Sequence, residues 1–301
     1  MKNRIANNRP SSTQRTRTRA SLWAGMALSC LVSVSVIGCN SSESEEKIIA
    51  QDPQAVFTMP DKIKYDVIMP DVAWFGTIIG DRNTGAHGTF IKITKGTGTP
   101  AHIHSHAYRG IVLKGIVENP FAGNAATQVK MGPGSYYSVP GGAEHITRCA
   151  DDSPTDCLTY FYQDTAFDFN PNVAGVDPAL GKGAVIVLAK DVKYDVIMPG
   201  VAEFGTVYGD RAKGAHGTFV KVVKGKGTPP HKHSKAYHGV VLEGIVENPI
   251  PYNQSSPTRL GPGSHYFVPA NAEHITRCAT NSPTDCKSFI YQEDAFDFIP
   301  K

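Results

Sequence analysis

Sliding the chain along itself by 129 residues lays KYDVIMPDVAWFGTIIGDRNTGAHGTF (64–90) over KYDVIMPGVAEFGTVYGDRAKGAHGTF (193–219). The alignment continues without a gap to AFDF at 166–169 and 295–298, and over residues 64–169 the copies share 68 of 106 positions. A long unit that occurs twice is a duplicated domain, because solenoids are built from more and shorter units. This divides the chain into 55–169, a Pro- and Gly-containing linker NPNVAGVDPALGKG (170–183), and 184–301. It also means that each candidate side chain is tested twice within one sequence.

Each copy reads as all-β. Runs such as TFIKIT, RGIVLKGIVEN, GSYYSVP and CLTYFYQ are rich in Val, Ile, Tyr and Phe and are divided by Gly, Pro and Asn. No stretch of the body sustains a helical period, and many short strands in so few residues predict a sandwich or a small barrel.

Residues 1–38 differ from the rest. They hold six basic residues and no acidic one, and end in the apolar run ASLWAGMALSCLVSVSVIG. Of 30 basic and 27 acidic residues in the chain, 24 and 27 remain, so the body carries a formal charge of −3 and no nucleic-acid footprint. The four residues VIGC resemble the lipobox of bacterial lipoprotein signal peptides. On that resemblance residues 1–38 are a cleaved signal peptide, Cys39 is lipidated, and 39–54 is a tether holding the body to the cell envelope, facing the periplasm. Asn40 after the cysteine resembles lipoproteins sent to the outer membrane. An uncleaved membrane anchor is the alternative, since about 18 apolar residues just span a bilayer. Outside the leader, CADDSPTDC (Cys149, Cys157) and CATNSPTDC (Cys278, Cys286) each bracket a Ser-Pro-Thr-Asp turn. In an oxidising compartment these are expected disulfides; thiolate metal ligation is the rival reading.

Two segments of each copy carry the chemistry. The first runs Gly96, His102, His104, Tyr108, Gly115, repeated as Gly225, His231, His233, Tyr237, Gly244. The second runs Gly134, Pro140, Gly142, His145, repeated as Gly263, Pro269, Asn271, His274. This pattern resembles the two-motif signature of the cupin superfamily, G-x5-H-x-H-x3/4-E-x6-G followed by G-x5-P-x-G-x2-H-x3-N. The resemblance implies a bicupin, two tandem double-stranded β-helix (jelly-roll) barrels, with His102, His104 and His145 in one and His231, His233 and His274 in the other as metal ligands. Three imidazoles converging on one point suit a divalent transition metal, one per barrel, and leave coordination positions open. The third histidine of PAHIHSHAYRG, His106, becomes Lys235 in the second copy and is expected at the rim. His87 and His216 are shared but read as structural.

The departure from the motif is Tyr108, and Tyr237 in the second copy, where most cupins place a glutamate. Some cupin dioxygenases acting on thiols, diketones or dihydroxybenzoates use a 3-His set with ferrous iron, so Fe(II) is expected first, with Zn or Mn as alternatives. A phenol with a pKa of about 10 is expected beside the metal, donating a hydrogen bond, rather than as a tyrosinate ligand. Glu118 and Glu247 in GIVENP face either the barrel, as a distal ligand or general base, or solvent. Arg82 and Arg211 are expected in turn salt bridges, and Glu144 and Glu273 are expected to point away from the histidine beside them. The implied function is a 3-His metalloenzyme with dioxygenase-like chemistry on a small, anionic organic acid or a diketone. A zinc or manganese lyase and a non-catalytic lipid-anchored sensor or binding protein remain open.

Overall fold

The computed structural model describes residues 54–253 and 258–301. The signal segment, Cys39 and almost all of the tether lie outside the described residues. The chain is built from two seven-stranded antiparallel sheets, one centred on each copy. Helix among the described residues is confined to short 3-10 turns such as Pro178–Gly183, whose first turn is capped by the Asp177 carboxylate.

In the first sheet the strands run Val185–Val187, Tyr136–Val139, Tyr108–Lys114, Cys157–Gln163, His87–Ile93, Ala73–Gly80, Asp66–Met69. The second sheet repeats this order with Val56–Thr58, His265–Val268, Tyr237–Glu243, Cys286–Gln292, His216–Val222, Ala202–Gly209, Asp195–Met198. The outermost strands are exchanged. Val56–Thr58, at the front of the first copy, pairs with His265–Val268 of the second, and Val185–Val187 of the second copy pairs with Tyr136–Val139 of the first. The sequence boundaries at 55 and 184 therefore leave each large sheet with an edge strand from the other copy.

The central strands are apolar on both faces, and strand alternation explains why. Ile91, Ile93, Val112 and Phe161 point into the first barrel, where they meet Phe75 and Val139. Their neighbours Phe90, Ile111, Leu113, Tyr160 and Tyr162 point the other way, into a core shared with Phe219, Val240, Leu242, Phe289 and Tyr291 of the second copy. Tyr162 and Tyr291, equivalent residues of the two copies, stack on one another with centroids 4.2 Å apart. Contact between equivalent residues marks an approximate two-fold relation between the barrels.

Each barrel is completed by a three-stranded sheet, Lys130–Met131, Val117–Glu118 and Arg148–Cys149 in the first copy, and Arg259–Leu260, Val246–Glu247 and Arg277–Cys278 in the second. Val117, Met131 and Cys149 join the core of the large sheet. The disulfides Cys149–Cys157 and Cys278–Cys286 are formed, each tying a small sheet to a central strand of its large sheet. Closing so short a loop removes denatured-state entropy worth about 2.5 kcal/mol.

Candidate metal centres

His102 and His145 form an antiparallel bridge, each amide donating to the other's carbonyl at 3.0 Å. Their side chains share one face, and His104, two residues along, returns to that face. The bridge His231↔His274 and His233 repeat the arrangement. The loop that delivers the third histidine needs a left-handed residue. Gly142 (φ 74°) and Asn271 (φ 62°) fill that position, and their amides donate to the carbonyls of His104 and His233 at 2.8 and 2.7 Å. Asparagine is among the few side chains that tolerate this conformation, so the second copy keeps the turn without glycine.

The ligand atoms of His102, His104 and His145 lie within 4.8 Å of one another, as do those of His231, His233 and His274. Among the described residues no carboxylate or cysteine joins either group. In the first barrel Nδ1 of His102, His104 and His145 meets the carbonyls of Pro100, Asp168 and Ala143 at 2.9, 2.5 and 2.9 Å. In the second, His231, His233 and His274 meet the carbonyls of Pro229, Asp297 and Ala272. A carbonyl only accepts, so every Nδ1 is the N–H and every Nε2 presents a lone pair to the centre. Burial depresses the pKa of all six rings, to about 4 for His102 and His231 and about 3 for His274, and neighbouring imidazoles add to the shift for four of them, His102, His145, His231 and His274. Six neutral rings with fixed tautomers and convergent lone pairs fit a divalent transition metal in each barrel, held by three imidazoles with positions left open.

Around the rings, Phe169 stacks on His102 and Phe298 on His231, with centroids 4.4 and 4.3 Å apart. The Asp168 carboxylate accepts from the Ser105 amide at 2.9 Å and from its hydroxyl at 2.6 Å, which fixes the turn following His104. The AFDF segment thus supplies an aromatic wall, a carbonyl for one ring and a loop clamp. Its recurrence in both copies was the available signal for this role.

Tyr108 and Tyr237 are buried with their hydroxyls 3.4 and 3.2 Å from Nε2 of His145 and His274. Burial raises both phenol pKa values, that of Tyr237 to about 12. Behind Tyr237, Asn248 Nδ2 donates to the hydroxyl at 3.2 Å. Asn119, its buried counterpart, accepts from Thr147 at 3.2 Å. These asparagines are the polar residues of GIVENP that face the tyrosines.

The same alternation decides between the two facings left open for Glu118 and Glu247. Glu118 pairs with Arg148 at 3.6 Å, and Glu247 is held by Arg259 at 2.7 Å and by Arg277. Val117 and Val246 occupy the inward positions, so the glutamates turn to arginines, and neither is grouped with the histidines as the catalytic or ligand reading requires. Arg82 and Arg211 bind Asp66 and Asp195 at 2.7 and 2.6 Å. His87 and His216 are buried against Thr89 and Thr218, and His106 is exposed.

The sequence matches the family described as Domain of unknown function (DUF4437) twice, over residues 70–179 and 186–295. The chain belongs to the DUF4437 family. No curated protein matches this DUF4437 chain. Among solved structures it is similar to vicilin from Corylus avellana (hazelnut), with 12% identity, a TM-score of 0.58, and 81% of this chain and 87% of that one covered. It is also similar to a candidate dioxygenase from Nostoc punctiforme, at 10% identity and a TM-score of 0.59, covering 80% and 82%. The oxalate decarboxylase of Bacillus subtilis, studied for its Mn(II) centres, matches at 11% identity and a TM-score of 0.53, covering 81% and 78%. Likeness at these identities shows the fold: this DUF4437 protein has a bicupin fold, two jelly-roll barrels in one chain.

Proposed function

We propose that each barrel holds one divalent transition metal, ferrous iron first, and that the protein is a non-haem metalloenzyme with dioxygenase-like chemistry on a small organic acid or diketone. The observation that carries this reading is the pairing of all six Nδ1 atoms with backbone carbonyls, which leaves six lone pairs directed at two points. A ferrous ion there would supply Lewis acidity and one-electron chemistry with dioxygen. The chain itself positions the three imidazoles, encloses the site with aromatic rings, and offers a protonated phenol as a hydrogen-bond donor to whatever binds beside the metal. That donor, rather than a carboxylate, is what separates this site from a 3-His/1-carboxylate centre.

The body is further proposed to sit on the periplasmic side of a bacterial envelope membrane, anchored by lipid on Cys39. The two disulfides support an oxidising compartment. Replacement of Cys39 by alanine should move the protein from the membrane fraction to the soluble one.

Metal analysis of residues 40–301 by mass spectrometry tests the central reading. About two metals per chain are expected, falling by one in His145→Ala and by one in His274→Ala. No stoichiometric metal after anaerobic reconstitution with iron, zinc or manganese would refute it. With iron bound, oxygen uptake in the presence of diketones and phenolic acids separates an oxygenase from a sensor, and carbon dioxide release without oxygen uptake identifies a lyase.

A further inference from the structure

The two barrels share their histidines and tyrosines but not their free volume. The cavity beside His231, His233 and Tyr237 measures about 260 Å³, whereas the equivalent space beside His102, His104 and Tyr108 measures about 40 Å³. Three substitutions between the copies account for the difference. Phe161, Ile91 and Ile93 of the first barrel become Ile290, Val220 and Val222 of the second, each at an equivalent inward position on a central strand. Phe161 is decisive. Its ring lies 5.2 Å from that of Tyr108 and 6.1 Å from that of Phe167, occupying the interior in front of the first histidine set. Ile290 puts no ring there, and Tyr237 faces open space.

We infer that the barrels have divided their work: the second is the substrate barrel, taking a molecule with an apolar body and a single metal-binding head group, and the first admits no more than a water-sized ligand beside its histidines. Phe161 and Ile290 are the residues that set this specificity. The inference deepens the metalloenzyme reading and rests on it for the head group. The chemistry of the walls names the class of molecule. Among the described residues no Lys, Arg, Asp or Glu lines the larger cavity, whose wall is built from groups such as Phe204, Phe296, Phe298 and Ile290. A second charged group on the substrate would be buried there without a partner, which is costly. The fit is therefore to a compact aromatic or branched aliphatic molecule, below the roughly 300–1,000 Å³ range of pockets for larger ligands, and not to a small dianion.

Two probes test this on residues 40–301. Benzene, added to metal-free protein and followed by calorimetry, reads the cavity without any metal; dry apolar cavities bind it. One equivalent per chain is expected, lost in Ile290→Phe, with a second equivalent gained in the triple variant Phe161→Ile, Ile91→Val, Ile93→Val. Benzohydroxamate, added to cobalt(II)-loaded protein and followed by the visible spectrum of the metal, reads the head group. Two cobalt ions but one benzohydroxamate per chain are expected. That single equivalent should persist in His145→Ala, disappear in His274→Ala, and weaken at least tenfold in Ile290→Phe while both cobalt ions stay bound. Two equivalents of either probe in the parent, or undiminished binding in Ile290→Phe, would overturn the division of work. A chain that binds one benzene but no cobalt would refute the metal reading and leave the cavity assignment standing.

Discussion

Nε2 of His102 lies 3.1 Å from Nε2 of His104, although each ring spends its one proton on a backbone carbonyl through Nδ1. Two lone pairs at that distance repel, and nothing in either neutral ring can relieve them; a cation between them can. Metal binding is therefore expected to stabilise the fold. At a hundredfold excess over the dissociation constant a ligand adds about 2.7 kcal/mol per site. Zinc titration followed by thermal unfolding should show a rise in the parent, a smaller one in His274→Ala, and none in the His145→Ala, His274→Ala double variant.

Asp168 is not one of the grouped ligand residues, yet it clamps Ser105 with its carboxylate and accepts the His104 Nδ1 hydrogen bond with its carbonyl. Asp168→Ala removes only the clamp. Supports of this kind typically affect metal affinity by 10- to 100-fold. Competition against a chromophoric chelator should show one of the two metals weakened by that factor, with the stoichiometry unchanged.

The six histidines were legible in the sequence because spacing and repetition act together, and bridge geometry then brings His145 to His102. The facing of Glu118 was not legible, since the parity of a two-residue strand depends on which neighbour it pairs with. Once Val117 is inward, Asn119 behind Tyr108 follows by alternation. The exchanged strands were hidden for another reason. Three-residue segments such as Val56–Thr58 carry no local sign of a partner some two hundred residues away. The difference between Phe161 and Ile290 stands in plain view in the alignment, but only the barrel shows that it faces the histidines.

Tyr237 donates from a phenol that burial keeps protonated, with its pKa pushed up to about 12. Tyr237→Phe should keep its metal and lose about 10²-fold in turnover, the scale for removing one aimed donor. A tyrosinate ligand predicts the opposite, with weakened metal and loss of a phenolate-to-iron absorption band on oxidation. Metal content and the visible spectrum of the iron form separate the two.

Four histidines outside the metal centres are also held neutral. Burial lowers His87 and His238 to about 4 and His265 to about 3, and lowers His216 as well. In the unfolded chain these rings titrate near 6.5. Between that value and the folded pKa the unfolded state binds more protons, so the stability present above about pH 6.5 is lost as pH falls towards 4. His238 and His265 lie 3.2 Å apart through Nδ1 and Nε2, and the first copy places Arg109 and Tyr136 at their positions. Urea unfolding of His238→Arg, His265→Tyr across pH 4.5–7.5 should show a shallower acid slope than the parent, by up to about 1.4 kcal/mol per pH unit for each proton no longer taken up.

The exchanged edge strands and the shared core make the two barrels one folding unit. Cutting at the sequence boundaries leaves residues 55–169 without Val185–Val187 on the Tyr136–Val139 edge, and residues 184–301 without Val56–Thr58 on the His265–Val268 edge. Each fragment also exposes half of the core around Tyr162 and Tyr291. Bare edges and uncovered apolar faces drive association. Expressed alone, each fragment should aggregate or self-associate, and expressed together they should co-purify as a one-to-one complex with both edges paired. Two separately soluble monomers, each unfolding cooperatively by size-exclusion and urea titration, would show that the duplication yields independent domains and that the strand exchange contributes little to stability.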